Sequence, residues 1–306
     1  MPQTLIYRPI LIDELITNNR IGSYINVFSP QNDIELMGVY LWNSHVCGAI
    51  YPLIGAAEVA LRNSIDQAIH SSLGPFWWSG SKLKYKSFSP GGPLPWPVKC
   101  VRENLATATN NYKKEKKKRY HIPGNVVPDH AGSVAKTEFS TWEFILDNEF
   151  MGNNLIWPGH LGKVFKGTWP STHASTVLTH ARDLVGNIRE FRNRLFHHEP
   201  AWKRYGVNTE ADAISHLHEK IDKIIQLLNL INPEKTRMLE KNRIINAAQR
   251  ACSSQEIRRF QHLVRTHKIK SIGRFVELAD NCSQNNEIIQ AKIYKGRQSK
   301  FLIIPV

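Results

Sequence analysis

Residues 173–197, HASTVLTHARDLVGNIREFRNRLFH, and residues 209–231, TEADAISHLHEKIDKIIQLLNLI, decide the fold class. In the first, Leu178, Ala181, Leu184, Ile188, Phe191 and Leu195 recur at steps of three and four. In the second, Ile214, Leu217, Ile221, Ile224, Leu228 and Ile231 alternate the same steps. An α-helix advances about 100° per residue, so each set makes one apolar stripe that must be buried. Pro200 and Pro233 are expected to stop the two helices.

Working outward, a further helix is expected from about Ile34 to Ile69, kinked near Pro52, which has no backbone N–H to give. Residues 98–119 form another. Ser140 followed by Glu143 has the form of a capping box opening a short helix through Asp147. A short helix fits between Trp157-Pro158 and Trp169-Pro170. The stretch LGPFWWSGSKLKYKSFSPGGPLPWP, residues 73–97, is a long loop rich in Gly, Pro, Ser and Trp. Two or three short basic helices follow Pro233, and the end, IIQAKIYKGRQSKFLIIPV, reads as a small hairpin around Lys295-Gly296. The class is mainly α.

Charge points to the partner. The 306 residues carry 40 Lys+Arg against 26 Asp+Glu, a formal charge of +14, which favours polyanions such as nucleic acid or an anionic membrane. Residues 1–80 are net −3, 81–130 net +8, 131–230 neutral and 231–306 net +9. The first basic block peaks at Lys113, Lys114, Lys116, Lys117, Lys118 and Arg119, and is either a phosphate-binding run or a solvated helix end. The second follows IRRFQHLVRTHKIKSIGRF, where Phe260 and Leu263 interleave with Arg258, Arg259 and Arg265. It is expected to form a basic amphipathic helix lying on phosphate or on a membrane surface.

Several classes lose their support. The first residues do not have the form of a secretory signal, and the apolar stretch Val46 to Leu61, interrupted by Pro52 and Glu58, is too short and broken to span a bilayer. A cytoplasmic location without membrane association is expected. Cys47, Cys100, Cys252 and Cys282 form no CxxC and are expected to be free thiols. No Walker loop, GxGxxG or HExxH is present.

The chemistry concentrates in REFRNRLFHHEPA, residues 189–201. On a helix whose Leu184, Ile188, Phe191 and Leu195 face the core, Asn193 and His197 point roughly opposite. Glu190 lies one turn earlier on their side and Arg192 flanks them. A histidine moves protons near neutral pH. An arginine holds a phosphate and stabilises the charge of a pentacoordinate transition state, and an asparagine orients either. Such a set suits cleavage of RNA by its own 2′-hydroxyl, a reaction that needs no metal. An ordinary basic helix end is the plain alternative. A zinc site at His197-His198 or at His216 and His218 lacks cysteine or carboxylate support. Glu58 and Arg62, at i and i+4, with Asn63, form either an intrahelical ion pair at a packed surface, or a support that orients the Arg192 helix or makes a dimer contact.

At these residues the chain resembles a known family. Arg192-Asn193-Arg194-Leu195-Phe196-His197-His198-Glu199-Pro200 is similar to the RNxxxH signature of the HEPN superfamily, and more narrowly to its Abi-like (abortive-infection) proteins. The stretch Tyr40 to Ser64, ending EVALRN, resembles the family's long helix. Ser140-TWEF-Ile145 with Leu155-IWPGHLGKVF-Lys166 is similar to its FWEF and LWP patterns. The resemblance covers roughly Leu36 to Pro233. It divides the chain into an N-terminal segment, 1–35, a HEPN/Abi-like helical domain, 36–233, with an insert at about 73–130, and a basic C-terminal extension, 234–306.

The resemblance implies a HEPN-type helical bundle with added C-terminal helices and a metal-independent endoribonuclease without cofactor. It leaves 2′,3′-cyclic phosphate and 5′-hydroxyl ends and acts as a toxin or phage-defence effector. Arg192, Asn193 and His197 would be catalytic, with Glu190, His198, Glu58, Arg62 and Asn63 in support. The implied partners are an RNA substrate, a second copy in a homodimer, and an RNA or protein antitoxin. A non-catalytic RNA-binding HEPN protein is the alternative.

Overall fold

A computed structural model describes residues 10–293 and 299–305; the expected hairpin turn at Lys295-Gly296 lies outside them. The fold is mainly helical with one small sheet. A short π-type helix, Ile10–Ile16, precedes α1 (Asn18–Phe28), α2 (Asp33–Leu73), α3 (Trp96–Tyr120), α4 (His130–Val134), α5 (Phe139–Phe144) and α6 (Leu161–Val164). Then come α7 (Ala174–Phe196), α8 (Glu210–Ile231), α9 (Pro233–Lys241), α10 (Ile244–Ala251) and α11 (Ser254–Phe260). Strand β1 (Thr266–Ile269), α12 (Ile272–Asn285), β2 (Ile289–Ile293) and β3 (Ser299–Ile303) complete it.

The chain forms two compact units, neither a single stretch. One gathers the chain to Tyr51 with Arg194–Ile221 and the residues from Asn242 on; the other gathers Pro52–Asn193 with Asp222–Lys241. The boundaries therefore fall inside α2, α7 and α8, whereas the linear reading divided the chain at 35 and 233.

In the second unit, α3 packs on α4 and α5. Trp77, Trp142 and Trp157 are buried there. Their indole N–H groups donate to Asp66 Oδ1 at 2.8 Å, Thr137 Oγ1 at 3.0 Å and the Ile145 carbonyl at 2.8 Å, so none is left unsatisfied. The expected loop 73–97 is pinned by its own buried Trp77, Trp78, Leu83 and Tyr85. In the first unit, Phe28 meets Trp42 and Trp202 edge-on at 5.5 and 5.0 Å, and Trp42 donates to the Ala251 carbonyl at 2.8 Å.

The periodic helices match their expectation closely. Leu178, Ala181, Ile188, Leu217, Ile221, Ile224 and Leu228 are all buried. Four expectations need correction. The run Val46 to Leu61, expected to be too short and broken to span a bilayer, lies in α2, which continues through Pro52 and is, among the described residues, the one helix long and apolar enough to cross a membrane by length and composition. Its Trp42, Val46, Ile50, Leu53, Ala57, Leu61 and Ile65 are fully buried at helical spacing, the pattern of a core helix. The capping box at Ser140 does not form. The N-cap position of α5 is Glu138, without a side-chain cap, and Glu143 instead pairs with Arg189.

Pro200 does not stop α7, which ends at Phe196. The His198 N–H donates to the Leu195 carbonyl and the Glu199 N–H to the Arg194 carbonyl, at 3.2 and 3.1 Å, with His198 left-handed at φ 54°. These bonds make a Schellman cap. Finally, residues 257–275 are not one basic helix. Thr266–Ile269 pairs parallel with β2, and β3 pairs antiparallel on the other side of β2. Ser271 then caps α12, its hydroxyl accepting from the Arg274 N–H. Burying Ile269 with Leu278, Cys282, Ile289 and Ala291 outweighs helix continuity across this stretch.

Candidate active site

Helix α7 carries four arginines, and each meets a carboxylate. Arg182 lies 2.6 Å from Asp147, Arg189 pairs with Glu143, and the Arg192 Nε lies 3.7 Å from the Glu58 Oε2. Thus Glu58 turns to Arg192, while the Arg62 Nε donates to Asn63 Oδ1 at 3.2 Å. Of the two sequence readings for Glu58, this is the one in which it supports the α7 arginine. Both members are half-buried. In such a setting the pair aims the guanidinium more than it adds stability. Asn193 is half-buried, and Glu190 and Asn63 do not share in these pairs.

The exit of α7 is fixed separately. His197 is the last residue before the left-handed His198, and both imidazoles are exposed. The His198 carbonyl accepts from the Arg20 guanidinium. Arg194 donates to the Lys203 carbonyl and faces Glu199 at 3.7 Å. The Ala201 N–H donates to the buried Asn43 Oδ1 at 2.8 Å. Phe196 meets Tyr51 edge-on at 5.4 Å, and both rings are largely exposed. Beside them a cavity of about 520 Å³ is lined by Tyr40, Cys47, Tyr51, Phe196 and His198. Burial pushes the Cys47 thiol up to about 11, so it stays protonated and unreactive at neutral pH.

One helix therefore carries Arg192 and Asn193, and His197 follows five residues after Arg192 at its C-terminus. Sequence reasoning missed Arg20 and Asn43. Arg20 has no signal beyond being one of three arginines in the net-acidic segment 1–80. Asn43 is a single carboxamide inside the apolar run of α2, which is the pattern of a buried residue serving a backbone group.

The basic residues separate into two kinds. Lys113, Lys114, Lys116, Lys117, Lys118 and Arg119 sit on the final turns of α3, where the helix dipole favours cations. Lys116 lies 4.9 Å from the Tyr120 ring centre and Arg119 5.7 Å. Arg258, by contrast, is bound by both oxygens of Glu210 at 3.1 and 2.9 Å, and Arg259 Nε by Glu256 at 2.7 Å. Those two charges are offset within the fold, while Arg265 is exposed.

Among the described residues no group of three or more His, Cys, Asp or Glu is arranged to hold a metal ion. Compared with family models, curated proteins and solved structures, the chain matches none.

Proposed function

We propose that the chain is a metal-independent endoribonuclease of the HEPN type, acting as a homodimer in a toxin or phage-defence role. The observation that carries this reading is the pairing of Glu58 with Arg192 on α7, with an exposed His197 following directly in the chain after that helix. In the reaction, the 2′-oxygen attacks the adjacent phosphorus and the P–O5′ bond breaks. One His197 takes the 2′-hydroxyl proton. The His197 of a second copy returns a proton to the leaving 5′-oxygen. Arg192 stabilises the added negative charge on the phosphorane, and Asn193 orients an imidazole or a phosphate oxygen. Glu58 is a positioning residue that holds Arg192.

The test is RNA cleavage by purified protein in EDTA, with sequencing of the product ends. Activity should persist, leave cyclic phosphate ends, and fall by about 100-fold or more in Arg192→Ala and in His197→Ala. Glu58→Gln should lower kcat less than Arg192→Ala while leaving the pH profile in place. Dimers mixed from wild-type and His197→Ala chains should lose nearly all activity if the two histidines share one cleft. RNA binding without cleavage would leave only a binding module, and would overturn the reading.

A further inference from the structure

The first unit contains a larger cleft, of about 920 Å³, built by α10, the start of α11 and the chain after β3. One face of α10 forms its floor. Arg243, Asn246, Ala247 and Arg250 recur there at steps of three, one and three, while Ile245, Ala248 and Ala251 face inward and are buried. Arg243 stands at the N-cap position in the left-handed region, φ 59°, and makes no capping bond. His218 completes the set of cationic or protonatable groups. Among the described residues, none of those that line the cleft is an Asp or Glu.

Its walls are already fixed. Arg250 reaches the Pro305 carbonyl at 3.4 Å, and the His218 Nε2 donates to the Cys252 carbonyl at 2.9 Å. Gln255 accepts from the Ile288 N–H at 2.9 Å and donates to the Asn286 carbonyl at 3.4 Å. Among the described residues no partner takes up the side chains of Arg243, Asn246 or Gln249. They line the opening as free donors and acceptors.

The chemistry of this lining selects a ligand. Two guanidinium groups without a carboxylate suit phosphate oxygens. Carboxamides pair a donor with an acceptor, as the edge of a nucleobase does. Ile288, Ile304 and Pro305 offer an apolar wall for a base or ribose face. The volume lies at the upper end for small-molecule pockets and far exceeds what a bare ion needs. The two arginines sit seven residues apart, about 10 Å along the helix, so both act together only on a ligand longer than one phosphate.

We propose that this cleft is a ribonucleotide-binding site, separate from the α7 motif, that takes a 5′-phosphorylated nucleotide, free or at the end of an RNA chain. It does not depend on whether the α7 motif cleaves RNA.

Titration calorimetry on the full chain tests it, in both the wild type and His197→Ala so that cleavage does not intervene. The probes are the four nucleoside 5′-monophosphates, a 5′-phosphorylated tetranucleotide and inorganic phosphate. At least one nucleotide probe should bind with a Kd of about 0.1 mM or tighter, and inorganic phosphate about tenfold more weakly or worse. Ala247→Glu places a carboxylate on the floor at a helical position that accepts it, and should weaken binding about tenfold or more. Ala247→Gln should keep it within about threefold. Arg243→Asn, which tolerates the left-handed backbone, combined with Arg250→Gln should match the loss, and serves if Ala247→Glu fails to fold. A monophosphate as tight as the tetranucleotide identifies a free nucleotide; a much tighter tetranucleotide identifies an RNA end. No probe binding below about 1 mM, phosphate binding as well as nucleotide, or binding untouched by these variants would overturn the proposal.

Discussion

Acidification tests how the buried imidazole of His216 is held on α8. The side chain is 5 % exposed. Burial first, then the Lys220 and Arg204 charges, lowers its pKa from 6.5 to about 4, against the opposing pull of Glu219, 3.8 Å from Nδ1. The unfolded chain takes up its proton near the ordinary histidine value, and the folded chain refuses it until about pH 4. His216 therefore contributes stability that is complete above pH 6.5 and is lost as pH falls toward 4. At about 1.4 kcal/mol per pH unit, the gap from 6.5 to about 4 sets a ceiling near 3 kcal/mol. Because Glu219 can approach the imidazolium as it forms, about 2 kcal/mol is the expected loss. The assay is urea unfolding of wild type and His216→Gln between about pH 7.5 and pH 4. His45 and His262, whose pKa values burial also lowers, act in both proteins and cancel in the comparison. The wild type should lose about 2 kcal/mol relative to the variant across that range. Parallel curves would show that His216 is solvated in solution, and would refute the argument.

Other expectations follow from separate features. His198→Gly should raise stability by up to about 1 kcal/mol and His198→Val should lower it by about 1–2 kcal/mol in thermal unfolding, since only the first suits the left-handed cap. Replacing the α3 lysines 113, 114 and 116–118 by glutamine should flatten the plot of log K against log salt for single-stranded RNA, by about 0.7 per lost phosphate contact. An unchanged slope would make the run a solvated helix end. Gly38→Ala should cost about 2–3 kcal/mol, because its Cβ would meet the Phe260 carbonyl oxygen at 2.5 Å and the Gln261 Cα at 2.7 Å.

What the sequence disclosed was what periodicity governs. The stripes of α7 and α8, the length of α3 and the short helix after Trp157-Pro158 stand where spacing puts them, because burial of an apolar stripe depends on step size alone. Strand β1 was not legible. Thr266–Ile269 has no local preference strong enough to announce a strand, and it forms by pairing with residues more than twenty positions later. The device that ends α7 was not legible for a related reason. Proline is a visible stop signal, whereas a Schellman cap on a histidine leaves no mark in composition. At the candidate site, Arg192, Asn193 and His197 were visible as a motif. The partner of Glu58 was not, since i,i+4 spacing offers Arg62 and only the packing of α2 against α7 within the second unit brings Arg192 instead. In the basic C-terminal region, sequence density drew notice to Arg258 and Arg259, which the fold offsets with Glu210 and Glu256. Arg243 and Arg250, which meet no carboxylate among the described residues, are more thinly spread and so less conspicuous.

The assembly of the first unit from distant stretches has a consequence for vectorial synthesis. Trp42 finds its carbonyl acceptor on Ala251, 209 residues later. At about 5–20 residues per second, a ribosome takes about 10–40 s to make that interval. The apolar face of α2 emerges early and waits for α10 and α11. Asn43 can meet Ala201 sooner, since they are 158 residues apart. The exit of α7 can therefore close while the α10 floor is still being made. A nascent chain passes through a stage in which the exit of α7 is held but the cleft floored by α10 is missing, and Trp42 is open to solvent or to a chaperone.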